Sequence, residues 1–106
     1  MIIHGDNFTE ATNFARALGE KSDFTYIHGF NDPAVIAGQG SVGLEILEQQ
    51  PDVDAIIVPI GGGGLIAGIA FAVKQINPRI EVIGVEPVAY PVRFPYPFTL
   101  LKSHRY

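Results

Sequence analysis

The 106-residue chain has no cysteine, no tryptophan and a single methionine. Without cysteine there is no disulfide, no thiolate metal site and no thiol nucleophile, which fits a reducing compartment. Positive charge is scarce: seven lysines and arginines stand against eleven acidic residues, for a net charge of −4. No run of like charge occurs, which argues against nonspecific binding to nucleic acid or to an anionic membrane. From Ser22 to Val73 there is neither lysine nor arginine. Long apolar runs are also missing. The longest, Leu65 to Val73, is too short to span a bilayer. His4 and Asp6 interrupt the apolar start and argue against a signal peptide, so the cytoplasm is the expected location. No serine–histidine–acid arrangement, carboxylate pair or HExxH motif occurs, and a hydrolase has no support.

What is present is an alternation of strand and helix patterns. Ile2-Ile3 is expected as a strand remnant. Asn7 with Glu10 three positions on forms a capping-box pattern. Phe8, Ala11, Ala15 and Leu18 then share a helical face, which Gly19 is expected to close. Phe24–Ile27 is aromatic and β-branched, a second expected strand. Asp32-Pro33 predicts a cap with proline at the first helical position, and the helix runs to about Gln49. Its Gly38, Gly40 and Gly43 cost roughly 1 kcal/mol each against alanine, so close packing is expected there. Pro51 ends it. Ala55–Val58 reads as a parallel strand buried on both faces, Gly64–Gln75 as a third helix, and Ile80–Val85 as a last strand.

That order predicts an α/β fold, three-layered, with a mainly parallel sheet flanked by helices. The domain is expected over residues 1–87. Beyond it Pro87, Pro91, Pro95 and Pro97 crowd a segment without helical pattern. Residues 88–106 are therefore expected as an irregular tail, and the chain as an interrupted one.

The stretch that carries chemistry is Gly61-Gly62-Gly63-Gly64-Leu65, between the third strand and the third helix. Residues without Cβ admit positive φ and close approach of a ligand to the main chain. Their N–H groups at a helix start form a phosphate site. The plainer alternative is a tight turn that lets elements pack closely. A nucleoside-triphosphate loop needs a lysine and a Ser/Thr after the last glycine, and Leu65-Ile66 stand there instead. A dinucleotide fold stays open: Gly62-x-Gly64-x-x-Ala67 fits the fingerprint, and Glu86 ends the next strand where a ribose-binding acid is expected. Against it, two βα units precede the fingerprint. The third reading is a phosphate monoester held by backbone alone. His4 and His28 lie near strand ends, where a base could sit, although a lone histidine is more often structural.

The segments Asp32-Pro33-x-x-Ile36-Ala37-Gly38-Gln39-Gly40-Ser41-x-Gly43-Leu44-Glu45 and Asp54 to Gly68 resemble the threonine/serine dehydratase and serine racemase group. These are pyridoxal-phosphate enzymes of the tryptophan-synthase β-like fold. His4-Gly5-Asp6-Asn7-Phe8 and Ile83-Gly84-Val85-Glu86-Pro87 resemble its flanking segments. The resemblance implies a partial domain of that fold, with pyridoxal 5'-phosphate as cofactor and Gly61, Gly62, Gly63, Gly64 and Leu65 around its phosphate. It implies a small amino-acid substrate, no nucleic-acid or membrane partner, and a homo-oligomeric complete enzyme. Glu86 would match the acidic ligand of a divalent or monovalent cation, but Val88 to Val92 add no carboxylate.

The resemblance also places a Schiff-base lysine in a Ser-Phe-Lys-type motif. Lys21, Lys74 and Lys102 sit in no such motif, so no catalytic residue is expected in this stretch. The implied reaction is an ammonia-lyase reaction on a β-hydroxy amino acid, with the chain alone inactive. The alternatives are a serine racemase-like enzyme and a non-catalytic module for a dinucleotide or pyridoxal phosphate.

Overall fold

A computed structural model describes residues 1–86. Residues 87–106 lie outside the described residues, and with them the expected tail, Lys102 and His104. The elements are α1 (Phe8–Lys21), α2 (Pro33–Gln49), β1 (Ala55–Pro59), α3 (Gly64–Ile76) and β2 (Glu81–Val85).

β1 and β2 pair in parallel, with Ala55 opposite Glu81, Val58 opposite Gly84 and Pro59 opposite Val85. α3 is the crossover between them, as a parallel pair requires. The ladder extends at both ends, through Glu81 N–H to Asp54 O at 2.9 Å and Ile60 N–H to Val85 O at 2.8 Å. Side chains alternate across β1, so Ile56, Val58 and Ile60 turn inward. With Ile69 and Val73 of α3 and Ile80 they form the core, against which Ile46 and Leu47 of α2 also pack.

α2 lies along α3 through a seam of glycines. A Cβ on Gly68 would collide with the Ile36 carbonyl and, at 2.7 Å, with the Gly40 nitrogen. A Cβ on Gly43 would stand 3.2 Å from the Ile69 carbonyl. The glycines expected to serve close packing do so at Gly40 and Gly43. Gly38 faces open space.

Three local expectations are corrected. Ile2-Ile3 and Phe24–Ile27 are not strands, since neither has a partner backbone among the described residues. An unpaired extended segment leaves its N–H and C=O groups to water, and β-propensity alone does not make a strand. Gly19 does not end α1, which runs two residues further to an extended Ser22 whose N–H bonds Leu18 O at 3.0 Å. Gly19 instead makes room for the chain returning past it, the Phe24 carbonyl lying 3.3 Å from where its Cβ would be. Nor is β1 buried on both faces. Ile57 is 69% exposed, so the described residues cover one face of the sheet and leave the other bare. The parallel α/β arrangement holds, with one helical side formed by the described residues. No helix among them is long and apolar enough to cross a membrane.

Candidate functional site

The tetraglycine turn lies where β1 ends and α3 begins, at the carboxyl end of the strands, where open α/β sheets bind ligands. Its four glycines stand there for different reasons. Gly63 is the N-cap of α3 with φ 88° and ψ −11°, a left-handed conformation that a Cβ opposes. Gly62 and Gly64 are bare because Phe30 occupies the space of their side chains. The Phe30 ring overlaps the Cβ position of Gly62, and its carbonyl lies 2.9 Å from that of Gly64. The close-packing alternative therefore accounts for these two. Gly61 is exposed, with nothing within 4 Å of its Cβ position.

No side chain caps α3. The first backbone bond of the helix is Ala67 N–H to Gly63 O at 3.0 Å, which leaves the N–H groups of Gly64, Leu65 and Ile66 as its open donors. Helix dipole and donors point the same way, and a dianion is the chemical complement. The stretch without cationic side chains leaves this task to the main chain.

Phe30 escaped the sequence reading. It is held by the residue two positions before it. His28 Nδ1 accepts the N–H of Asn31 at 3.0 Å and of Phe30 at 3.3 Å, and its ring meets the Phe30 ring edge-on at 4.5 Å. Nδ1 is thus the acceptor in both bonds. A signal was present in the sequence: a histidine two residues ahead of an aromatic in a Gly-containing turn. It gave no hint of the glycine loop as the contact. His4 is elsewhere, stacked on Phe14 of α1 at 3.9 Å.

The lysines stay apart from the loop. Lys74 is ten residues along α3, roughly 15 Å down the helix axis, and donates to the carbonyls of Pro78 at 2.9 Å and Ile80 at 2.6 Å. Lys21 closes the far end of α1. Glu86 follows β2 and is half-buried. No group of three His, Cys, Asp or Glu among the described residues could hold a metal ion, and Val88 to Val92 lie outside them. A depression of about 600 Å³ lined by Leu47, Pro51, Ile76 and Arg79 opens at the opposite end of the strands, away from the glycine turn.

Comparison with known proteins points to one family. Over 86 residues the chain is 55% identical to the catabolic L-threonine dehydratase TdcB of Escherichia coli, covering 81% of this chain and 26% of that protein. Threonine deaminase isoform 2 from Solanum lycopersicum superposes with a TM-score of 0.73 at 50% identity, over 81% of this chain and 24% of that one. Maize serine racemase superposes equally well, TM-score 0.73 at 42% identity, over 82% of this chain and 27% of that one. The chain thus spans about a quarter of the length of the relatives it matches. The family model described as pyridoxal-phosphate dependent enzyme matches residues 1–96, and the chain belongs to that family.

Proposed function

We propose that this stretch is the phosphate-binding portion of a pyridoxal-phosphate-dependent ammonia-lyase. The complete enzyme converts a β-hydroxy amino acid, L-threonine or L-serine, to a 2-oxo acid and ammonia. The observation that carries the reading is the turn Gly61–Leu65, left-handed at Gly63 and uncapped, in a chain whose relatives at about half identity include threonine dehydratases. The family assignment favours the phosphate-monoester reading of this loop over the dinucleotide one.

The residues fit the cofactor's phosphate. Gly61 leaves an open approach, and at the start of α3 the N–H groups of Gly64, Leu65 and Ile66 precede the first backbone bond of the helix. When bound, pyridoxal phosphate supplies an electron sink for negative charge at the substrate Cα. The loop's part is to fix the phosphate and thereby the position of the ring. No side chain of the loop can move a proton, and Lys74 is committed to carbonyls at the other end of α3. Proton transfer and the cofactor lysine belong to the rest of the enzyme, so the 106-residue chain alone has no lyase activity. Similarity to a serine racemase supports a second reading, racemisation, in which the loop performs the same task.

Amide resonances of the glycine turn, followed as pyridoxine 5'-phosphate and then pyridoxine are added, test the reading. Pyridoxine phosphate lacks the aldehyde and cannot label lysines nonspecifically. Shifts confined to Gly61–Leu65 and seen only with the phosphate ester are expected. Equal response to both ligands, or none, would overturn the assignment. Release of ammonia from L-threonine by the chain alone would overturn the division of labour.

A further inference from the structure

We propose that His28 is a positioning residue for the glycine turn, acting through Phe30 as a brace that sets the turn's shape before ligand arrives. The inference rests on the phosphate reading above and adds residues from outside the tetraglycine stretch. It starts from an asymmetry. The turn has no capping side chain of its own, and nothing in its four glycines limits their conformational freedom. A flexible anion site loses affinity to the cost of ordering, so some neighbour must do the ordering.

Phe30 is that neighbour. Its ring lies on Gly62, and its carbonyl and Cα back against Gly64, the Cα standing 3.0 Å from the Cβ position there. The contact spans both sides of the left-handed Gly63. Phe30 is itself in a loop between α1 and α2, with no helix or strand to hold it. His28 supplies the hold. One ring nitrogen takes two successive N–H groups, Phe30 and Asn31, as an Asx side chain does in a turn, and the imidazole edge-packs on the Phe30 ring. Just beyond, Asp32 Oδ1 accepts from Ala34 N–H at 2.8 Å and starts α2, whose glycine seam packs on α3. The brace is therefore tied at one end to the helix that carries the phosphate site.

The test compares pyridoxine 5'-phosphate with pyridoxine, by calorimetry, on the full chain and three variants. In the unaltered chain the phosphate ester binds more tightly, and absence of that preference would refute the phosphate reading itself, before any variant is considered. Given the preference, His28→Ala weakens the phosphate ester about tenfold, the equivalent of two hydrogen bonds, and leaves pyridoxine unchanged. His28→Asn restores an acceptor at the same offset and recovers affinity to within about threefold. His28→Phe keeps a ring but no acceptor and behaves like His28→Ala. A merely structural histidine would lower both ligands together and would not be rescued by asparagine. Should His28→Ala fail to fold, Phe30→Leu decides. Weakened binding of the phosphate ester supports the brace. Unchanged or tighter binding shows a spectator or an obstruction and overturns it.

Discussion

α1 and α3 are built on opposite plans. α1 is finished at its ends and unsupported along its length. Asn7 Oδ1 accepts Glu10 N–H at 3.0 Å, Glu10 bonds Asp6 N–H in return at 2.9 Å, and Lys21 stands in the last turn, yet none of its residues is buried. Phe8, which meets Phe30 at 6.3 Å between ring centroids, is still 69% exposed. α3 buries Gly64, Gly68, Ile69, Ala70 and Val73, and no side chain caps its first turn. Where packing supports a helix, its N-terminal donors can be left for something other than the protein. Where packing is absent, the donors must be satisfied locally for the helix to persist. The binding chemistry follows the packed helix.

The contrast predicts that α3 fails through its interior. Gly68→Val sets a branched side chain against the backbone of Ile36 and Gly40, which cannot yield as a flexible side chain would. The cost is about 3 kcal/mol or more, a large part of a domain's whole stability, and urea unfolding should show the cooperative transition lost or strongly shifted. On the same helix but outside the seam, Gly38→Ala meets open space and should stabilise by about 1 kcal/mol through helix propensity alone. If both substitutions destabilise alike, the glycine seam is not the packing surface described.

A smaller difference separates neighbours on one strand. Val58 is 2% exposed and Ile57 69%. Val58→Ala should cost about 2 kcal/mol, and Ile57→Thr should stay within about 0.5 kcal/mol. Light scattering would show the other side of Ile57→Thr, a reduced tendency of the bare sheet face to self-associate. At Gly63, alanine should cost about 1 kcal/mol and asparagine less, because asparagine tolerates the left-handed conformation. Equal cost for the two would mean that space, not φ, requires the glycine.

Local chemistry was the legible part of the sequence. The Asn7 and Asp32 caps, Pro33 at the first helical position, the end of α2 at Gln49 and the start of α3 at Gly64 depend on residues within four positions of one another, and all stand as expected. Only the return arm of the capping box differs, since Glu10 reaches Asp6 N–H where the pattern points to Asn7. Apart from Gly19, a local stop signal that α1 runs past, the errors concern partners distant in sequence. Phe24–Ile27 has the composition of a strand but no ladder, and Ile57 has the composition of a buried position but no cover. The same holds for the site. The tetraglycine marks itself, and Gly63 follows from the need for positive φ. Phe30 was invisible because its contact with Gly62 spans some thirty residues and nothing in an isolated phenylalanine says which glycine it covers.

The smallest expected effect tests the other side of the comparison, the capped and unpacked helix. Glu10 titrates below its ordinary value of 4.5, first because Asp6 N–H bonds its carboxylate, then because Asn7 does, with the charge of His4 adding in the same direction. A depressed folded-state value means that the charged form is preferred in the helix. Its contribution is complete above 4.5, where the unfolded glutamate is also ionised, and is lost as the pH falls through the folded value. Glu10 is fully exposed, so water and salt weaken the effect, which belongs to one helix end and not to the fold. Amide exchange read residue by residue should show protection in the first turn of α1 declining as the pH is lowered through and below 4.5, after correction for intrinsic exchange. Over the same range the amides of Ile69, Ala70 and Val73, held by burial, should keep theirs. Loss of both together would mean that α1 and α3 open as one unit, and the division between a helix held by its ends and a helix held by its face would not stand.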